Sequence, residues 1–119
     1  MKYSMFIGRW QPWHDGHQWL IDQRLKGGKN VLICIRDVIP DEKNPYTCEE
    51  VYDNLHKDPL LKEFIKLNMV KVIIIPDIES VNYGRGVGYD IIEHFPPPEI
   101  KEISATKIRN AIKWYTTYY

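Results

Sequence analysis

The sequence predicts a single α/β domain, a parallel sheet of four to five strands with helices on both faces. Three observations predict it. Short apolar runs alternate with stretches of helical spacing, which implies right-handed crossovers between parallel strands. The second of those runs, Val31 to Ile35, is continuous, as in a strand covered on both faces. The length of 119 residues, with 44% hydrophobic and 13% aromatic side chains, suits one packed core and excludes a disordered chain.

Taken in order, Tyr3 to Ile7 read as a short strand stopped by Gly8-Arg9. A helix follows over about 15–26, with Leu20, Ile21 and Leu25 inward and Gly27-Gly28 as its stop. Val31 to Ile35 form the second strand, and a charged, proline-punctuated loop runs from Arg36 to Tyr46. Thr47-Cys48-Glu49-Glu50 matches a capping box, opening a helix that carries Val51 and Leu55. Asp58-Pro59 restarts it as N-cap and first-turn proline, with Leu61, Phe64 and Ile65 on one face. Val70 to Ile75 are the third strand, 84–88 a glycine-rich loop and 89–93 a weaker strand. Three prolines at 96–98 forbid helix, and Ser104 begins a last one with Ile108, Ala111, Ile112 and Tyr115 at helical spacing. Ligands of such sheets sit at the carboxyl ends of strands near a reversal of strand order, so the loops of interest are 8–16, 36–47, 76–88 and 100–106.

Sixteen basic and sixteen acidic side chains cancel, which gives no support for a nucleic-acid partner. Cys34 and Cys48 make no disulfide framework, and Cys34, inside an apolar run, reads as a buried small hydrophobe. Neither a signal-peptide pattern nor a membrane-length apolar stretch is visible, so the cytoplasm is the expected compartment. The aromatic tail, Trp114-Tyr115 and Tyr118-Tyr119, makes a homodimer an expectation.

Two segments carry chemistry. The first, Gly8-Arg9-Trp10-Gln11-Pro12-Trp13-His14-Asp15-Gly16-His17, links the first strand to the first helix. Amides of an opening helical turn lack intrahelical partners and attract anions. Gly8 and Gly16 allow close backbone approach, His14 and His17 can donate together, and Arg9 adds a cation. Histidines three apart also suit zinc, but at least about three protein ligands are needed and no cluster supplies the rest, so no metal site is assigned. The second segment is Ile103-Ser104-Ala105-Thr106-Lys107-Ile108-Arg109, a capped helix start whose Ser104 and Thr106 hydroxyls, with Lys107 and Arg109, again suit phosphate. Alone it reads more readily as an ordinary capped helix with solvated cations. Gly84-Arg85-Gly86-Val87-Gly88 suggests a dinucleotide fingerprint but neither follows the first strand nor opens a helix, so it reads as a loop.

The first segment resembles the GRFQPxHxGH signature of the nucleotidyltransferase superfamily, in the form carried by nicotinamide mononucleotide (NMN) adenylyltransferases, with Trp10 in place of phenylalanine. The second resembles that superfamily's ISxTxIR signature. Between them Asn44-Pro45-Tyr46-Thr47 is similar to an NPFT element and Pro76-Asp77-Ile78 to a PDI segment. Two departures stand out: Val51 occupies a position where an arginine often follows NPFT, and the chain between Ile75 and Ile103 is short, where the family carries a further strand and loop. Glycerol-3-phosphate-type cytidylyltransferases, which start GTFDxxHxGH, are less similar.

The resemblance implies a Rossmann-like HIGH-type nucleotidyltransferase fold. It also implies an enzyme of NAD biosynthesis that transfers AMP from ATP to a small phosphorylated acceptor such as NMN, releasing pyrophosphate with Mg²⁺. It assigns His14, His17 and Arg109 to catalysis. Gly8, Arg9, Gln11, Gly16, Lys43, Ser104, Thr106 and Lys107 fall to the triphosphate, and Trp13, Asp77 and Tyr83 to the substrate. A cytidylyltransferase using CTP and a phospho-alcohol, favoured by the short chain and the Thr-Lys-Ile wording of the second motif, is the enzyme alternative. A non-catalytic nucleotide-binding module is the alternative of another class.

Overall fold

The protein is described by a computed structural model, which covers residues 1–86 and 88–103. Its elements run β1 (Tyr3–Gly8), α1 (Asp15–Leu25), β2 (Asn30–Asp37), α2 (Cys48–Lys57), α3 (Pro59–Lys66), β3 (Val70–Pro76) and the single turn α4 (Pro98–Lys101). β1, β2 and β3 pair in parallel in that order, giving a small sheet flanked by helices, Rossmann-like at a coarse level.

The local devices are those expected of the sequence at two of the four helix starts among the described residues. Thr47 Oγ1 accepts the Glu50 amide at 3.1 Å, and Glu50 Oε1 accepts the Thr47 amide at 3.3 Å. Asp58 Oδ1 accepts the amides of Leu60 and Leu61, both at 3.1 Å, with Pro59 in the first turn where a missing N–H costs nothing.

Residues paired across a parallel ladder share a face, so Phe6, Ile33 and Val72 look the same way, as do Val31, Val70 and Ile35. Onto that face α1 delivers Ile21 and Leu25, α2 delivers Val51 and Leu55, and α3 delivers Leu61, all in one cluster. Right-handed crossovers between strands laid down in sequence order put successive helices on the same side. The opposite face carries Met5, Ile7, Leu32, Cys34 and Ile73, and Met5 is 58% exposed there. Cys34 is nevertheless buried by its neighbours in the central strand, which pushes its thiol pKa up.

Three expectations need correction. Among the described residues the sheet has three strands, not four or five, and 89–93 is irregular. Ile91 is 64% exposed in that stretch, so its apolar side chains have no layer against which a strand could bury them. In α1, Gln18 rather than Leu20 joins Ile21 and Leu25 as a buried residue. The sheet order β1-β2-β3 contains no reversal among the described residues, so the site is framed by the carboxyl ends of strands alone. The helix expected from Ser104 onward, with the tail Trp114-Tyr115 and Tyr118-Tyr119, falls on residues outside those described. Among the described residues no helix is long and apolar enough to cross a membrane.

Candidate functional site

The turn from β1 into α1 is built around Trp10. Its backbone sits at φ 54°, left-handed territory that costs an L-residue roughly 1–2 kcal/mol. The side chain is buried, and its indole Nε1 donates to the Cys34 carbonyl of β2 at 3.1 Å. Gly8 supplies the room: a Cβ there would lie 2.8 Å from the indole ring. Gln11 follows, also buried, with both ends of its amide engaged by the backbone of Tyr46 at 2.9 Å. The Gln11–Pro12 peptide is cis.

His14 is the N-cap of α1, in extended conformation, and its Nδ1 accepts the Gly16 amide at 3.0 Å. His17 reaches back, its Nδ1 accepting the His14 amide at 3.2 Å. A reciprocal cap normally built from Ser or Thr and Glu is here built from two imidazoles. The rings stack with centroids 3.6 Å apart and planes 17° from parallel. Trp10 meets His17 edge to face at 4.8 Å and 87°, and Trp13 lies against it at 5.3 Å.

A ring nitrogen that accepts an amide proton carries none of its own. The network therefore assigns both histidines the neutral form protonated at Nε2, leaving Nε2–H as the donor each ring has to offer. Electrostatics agrees. Burial, reinforced by the nearby His14, pulls the His17 pKa down to about 3, and burial lowers that of His14 against the opposing charge of Asp15. At neutral pH the pair is two uncharged donors.

This geometry revises the reasons given for several residues. The Gly16 amide, expected to be free for an anion, is bonded to His14. Gly16 is needed for the same contact, since a Cβ would stand 2.8 Å from His14 Cε1. Gly8 makes way for Trp10 and not for a ligand. Gln11 braces the loop at Tyr46.

Around this turn the other loops gather unevenly. Arg9 is exposed, and its charge acts on Asp41, which places loops 8–16 and 36–47 side by side. Asp41 Oδ1 accepts the amides of Asn44 at 2.7 Å and Lys43 at 2.8 Å, and these bonds, that to Asn44 foremost, hold its pKa below the usual carboxylate range. Lys43 is exposed on that turn. Asp77 pairs with Arg36 at 2.7 Å, and Tyr83 stands exposed in the 76–88 loop. Trp13 is half-buried against the core, Trp10 and His17. Ser104, Thr106, Lys107 and Arg109 lie outside the described residues. The chain leading to them passes the opening of α1, because the Ile100 carbonyl comes within 3.8 Å of the Cβ position at Gly16. Sequence reasoning missed Trp10 as a site residue; its one signal was a large aromatic wedged between Gly8 and Gln11-Pro12 directly after a strand.

Among the described residues no group of three or more His, Cys, Asp or Glu could hold a metal ion. The donors at this turn are N–H groups and a guanidinium, a set suited to anions.

No family model matches the chain, and no solved structure matches it. The chain spans less than half the length of a curated relative it matches, 46% of that protein. Over 82 residues, 67% of this chain, it is 33% identical to the nicotinamide-nucleotide adenylyltransferase of Caldivirga maquilingensis, and its likeness to known proteins is therefore a partial one to a nucleotidyltransferase.

Proposed function

We propose that the chain is a nucleotidyltransferase that transfers AMP from ATP to a small phosphorylated acceptor such as NMN. The observation that carries this reading is the stacked His14–His17 pair at the opening of α1, with both Nδ1 atoms occupied by backbone amides and both Nε2–H groups left as donors. The partial similarity to an adenylyltransferase supports it.

In the reaction an oxygen of the acceptor phosphate attacks the α-phosphorus of ATP. The bond from that phosphorus to the bridging oxygen breaks, and pyrophosphate leaves. No protein nucleophile is needed; the work is positioning and stabilisation of charge that grows on phosphate oxygens. His14 and His17 donate to α- and β-phosphate oxygens. Because both are neutral they add direction but no net charge, so Arg9, Lys43 and the second motif, Ser104, Thr106, Lys107 and Arg109, supply the cationic and hydroxyl remainder. Mg²⁺ bound with the triphosphate would neutralise charge on the leaving pyrophosphate, and no group of His, Cys, Asp or Glu among the described residues is assigned to hold it. Trp13 and Tyr83 offer aromatic surface to the acceptor, while Asp77 acts through its ion pair with Arg36.

The test is pyrophosphate release from ATP, Mg²⁺ and NMN by the full chain and by His17→Ala. Loss of one such donor lowers kcat by about a hundredfold or more. A variant as active as the parent refutes the assignment. Release from CTP with glycerol phosphate, but not from ATP with NMN, moves the chain to the cytidylyltransferases. No release with either pair, while nucleotide still binds, leaves a nucleotide-binding module.

A further inference from the structure

We propose that Trp10 is a positioning residue for His17, its indole pinned at one side by the Cys34 carbonyl and pressed edge to face against the imidazole, so that the ring keeps one orientation and one tautomer. The proposal rests on the nucleotidyl-transfer reading above for its kinetic consequence, though not for its structural one.

Four observations converge on it. Trp10 adopts φ 54°, a conformation that a bulky side chain avoids unless its surroundings impose it. The indole is buried and its one polar atom is used, in a bond across 24 residues to the carboxyl end of β2. Gly8 leaves the ring a slot that a Cβ, 2.8 Å from the indole, would fill, so the indole lies close against the end of β1. His17 then finds Trp10 at 4.8 Å, Trp13 at 5.3 Å and His14 stacked at 3.6 Å, three rings enclosing one imidazole. Trp13 is itself tilted against Trp10 at 5.2 Å, so removing Trp10 loosens two of the three. The backbone bond at Nδ1 fixes which nitrogen accepts, but one hydrogen bond leaves a ring free to pivot about it. The indole supplies the second constraint. It acts through His17 and is not assigned a contact with substrate.

Trp10→Leu removes the aromatic contact. Trp10→Phe keeps a ring and loses the hydrogen bond to Cys34. Each is compared with the parent as the full chain, by long-range proton–nitrogen NMR of the imidazoles between pH 8 and 4.5, with His17 signals assigned by their loss in His17→Gln. The ionisable neighbours are His14, stacked on His17, and Asp15, whose charge acts on His14, and the His14 ring is followed in the same series. In the parent, His17 is a single Nε2–H tautomer that does not titrate above pH 5. In Trp10→Leu the tautomers mix and the His17 midpoint rises to above about pH 5, inside the range read, while kcat for pyrophosphate release falls tenfold or more with the KM for ATP within twofold. Trp10→Phe falls between the two.

A His17 tautomer and midpoint unchanged in Trp10→Leu overturn the proposal. If that variant does not fold, the same result in Trp10→Phe overturns it. If the parent releases no pyrophosphate from any nucleotide, the functional reading fails, and the NMR comparison still decides the role of Trp10.

Discussion

The Gln11 side chain and the Tyr46 backbone hold each other through two reciprocal hydrogen bonds, Nε2 donating to the Tyr46 carbonyl and Oε1 accepting the Tyr46 amide, each at 2.9 Å. This pair joins the turn that presents the histidines to the loop that presents Lys43. Gln11→Ala leaves both backbone groups without those partners in a partly buried place, at a cost of about 2 kcal/mol. Gln11→Glu keeps the acceptor, but sets a carboxylate oxygen against a carbonyl and costs more. Urea unfolding checks the order, parent above Ala above Glu; an Ala variant as stable as the parent removes the brace.

Gly16→Ala sets two effects against each other. Alanine is the better helix former by about 1 kcal/mol. Its Cβ, however, would stand 2.8 Å from His14 Cε1 and 3.0 Å from Nδ1. His14 is only half-buried and can swing away, so stability changes little, within about 1 kcal/mol, while the cap opens and activity falls at least tenfold. Gly8→Ala differs because the atoms in its way belong to buried Trp10. There the cost appears as stability, about 1–3 kcal/mol by thermal unfolding.

The histidine pair makes stability fall on acidification from near neutrality. The His17 pKa is lowered in the folded chain to about 3, against an ordinary value of 6.5, so between those values the unfolded chain binds more protons. Stability is then fully present above about pH 6.5 and is lost as pH falls toward 3, at up to about 1.4 kcal/mol per pH unit from this group. His14, also lowered, adds in the same direction. Carboxylates titrate at the acid end of the range, so the parent is compared with His17→Gln, whose stability between pH 6.5 and 4.5 is predicted to be flatter. Equal slopes would mean that His17 is not held neutral.

How much of this was legible depends on whether the cause is local. The caps at Thr47 and Asp58 are written within three residues and appear as expected. The three short apolar runs became β1, β2 and β3, each with a pairing strand and a covering layer at hand. The 89–93 run was misread for the complementary reason: a strand also needs a partner and a covering layer, which no local pattern encodes. At the site, the spacing of His14 and His17 pointed to a shared donor pair. Their use as their own helix cap was hidden, because imidazoles are not among the side chains that mark an N-cap. Gln11 and Trp10 were opaque for a different reason: their partners, Tyr46 and Cys34, are 35 and 24 residues away.

Asp77 gives the last prediction, since it was expected at the substrate and is found in an ion pair. Its Oδ1 accepts from Arg36 Nη2 at 2.7 Å, from Arg36 Nε at 2.8 Å and from the Ile78 amide at 2.9 Å, while Arg36 also donates to the Ile78 carbonyl at 3.2 Å. The contacts tie the carboxyl ends of β2 and β3 to the first turn of the 76–88 loop. The Asp77 side chain is 50% exposed and that of Arg36 22%, so solvent screens the pair and it contributes no more than about 1 kcal/mol. Asp77→Asn keeps an oxygen for the same donors and loses only charge, so its effect is smaller still. If the carboxylate acts chiefly through Arg36, then Arg36→Ala and the double variant raise the KM for the acceptor alike, and the second substitution adds nothing to the first. If it serves the acceptor directly, Asp77→Asn raises that KM on its own and the two effects add. The double-mutant cycle on KM separates the two, and the geometry predicts the first result.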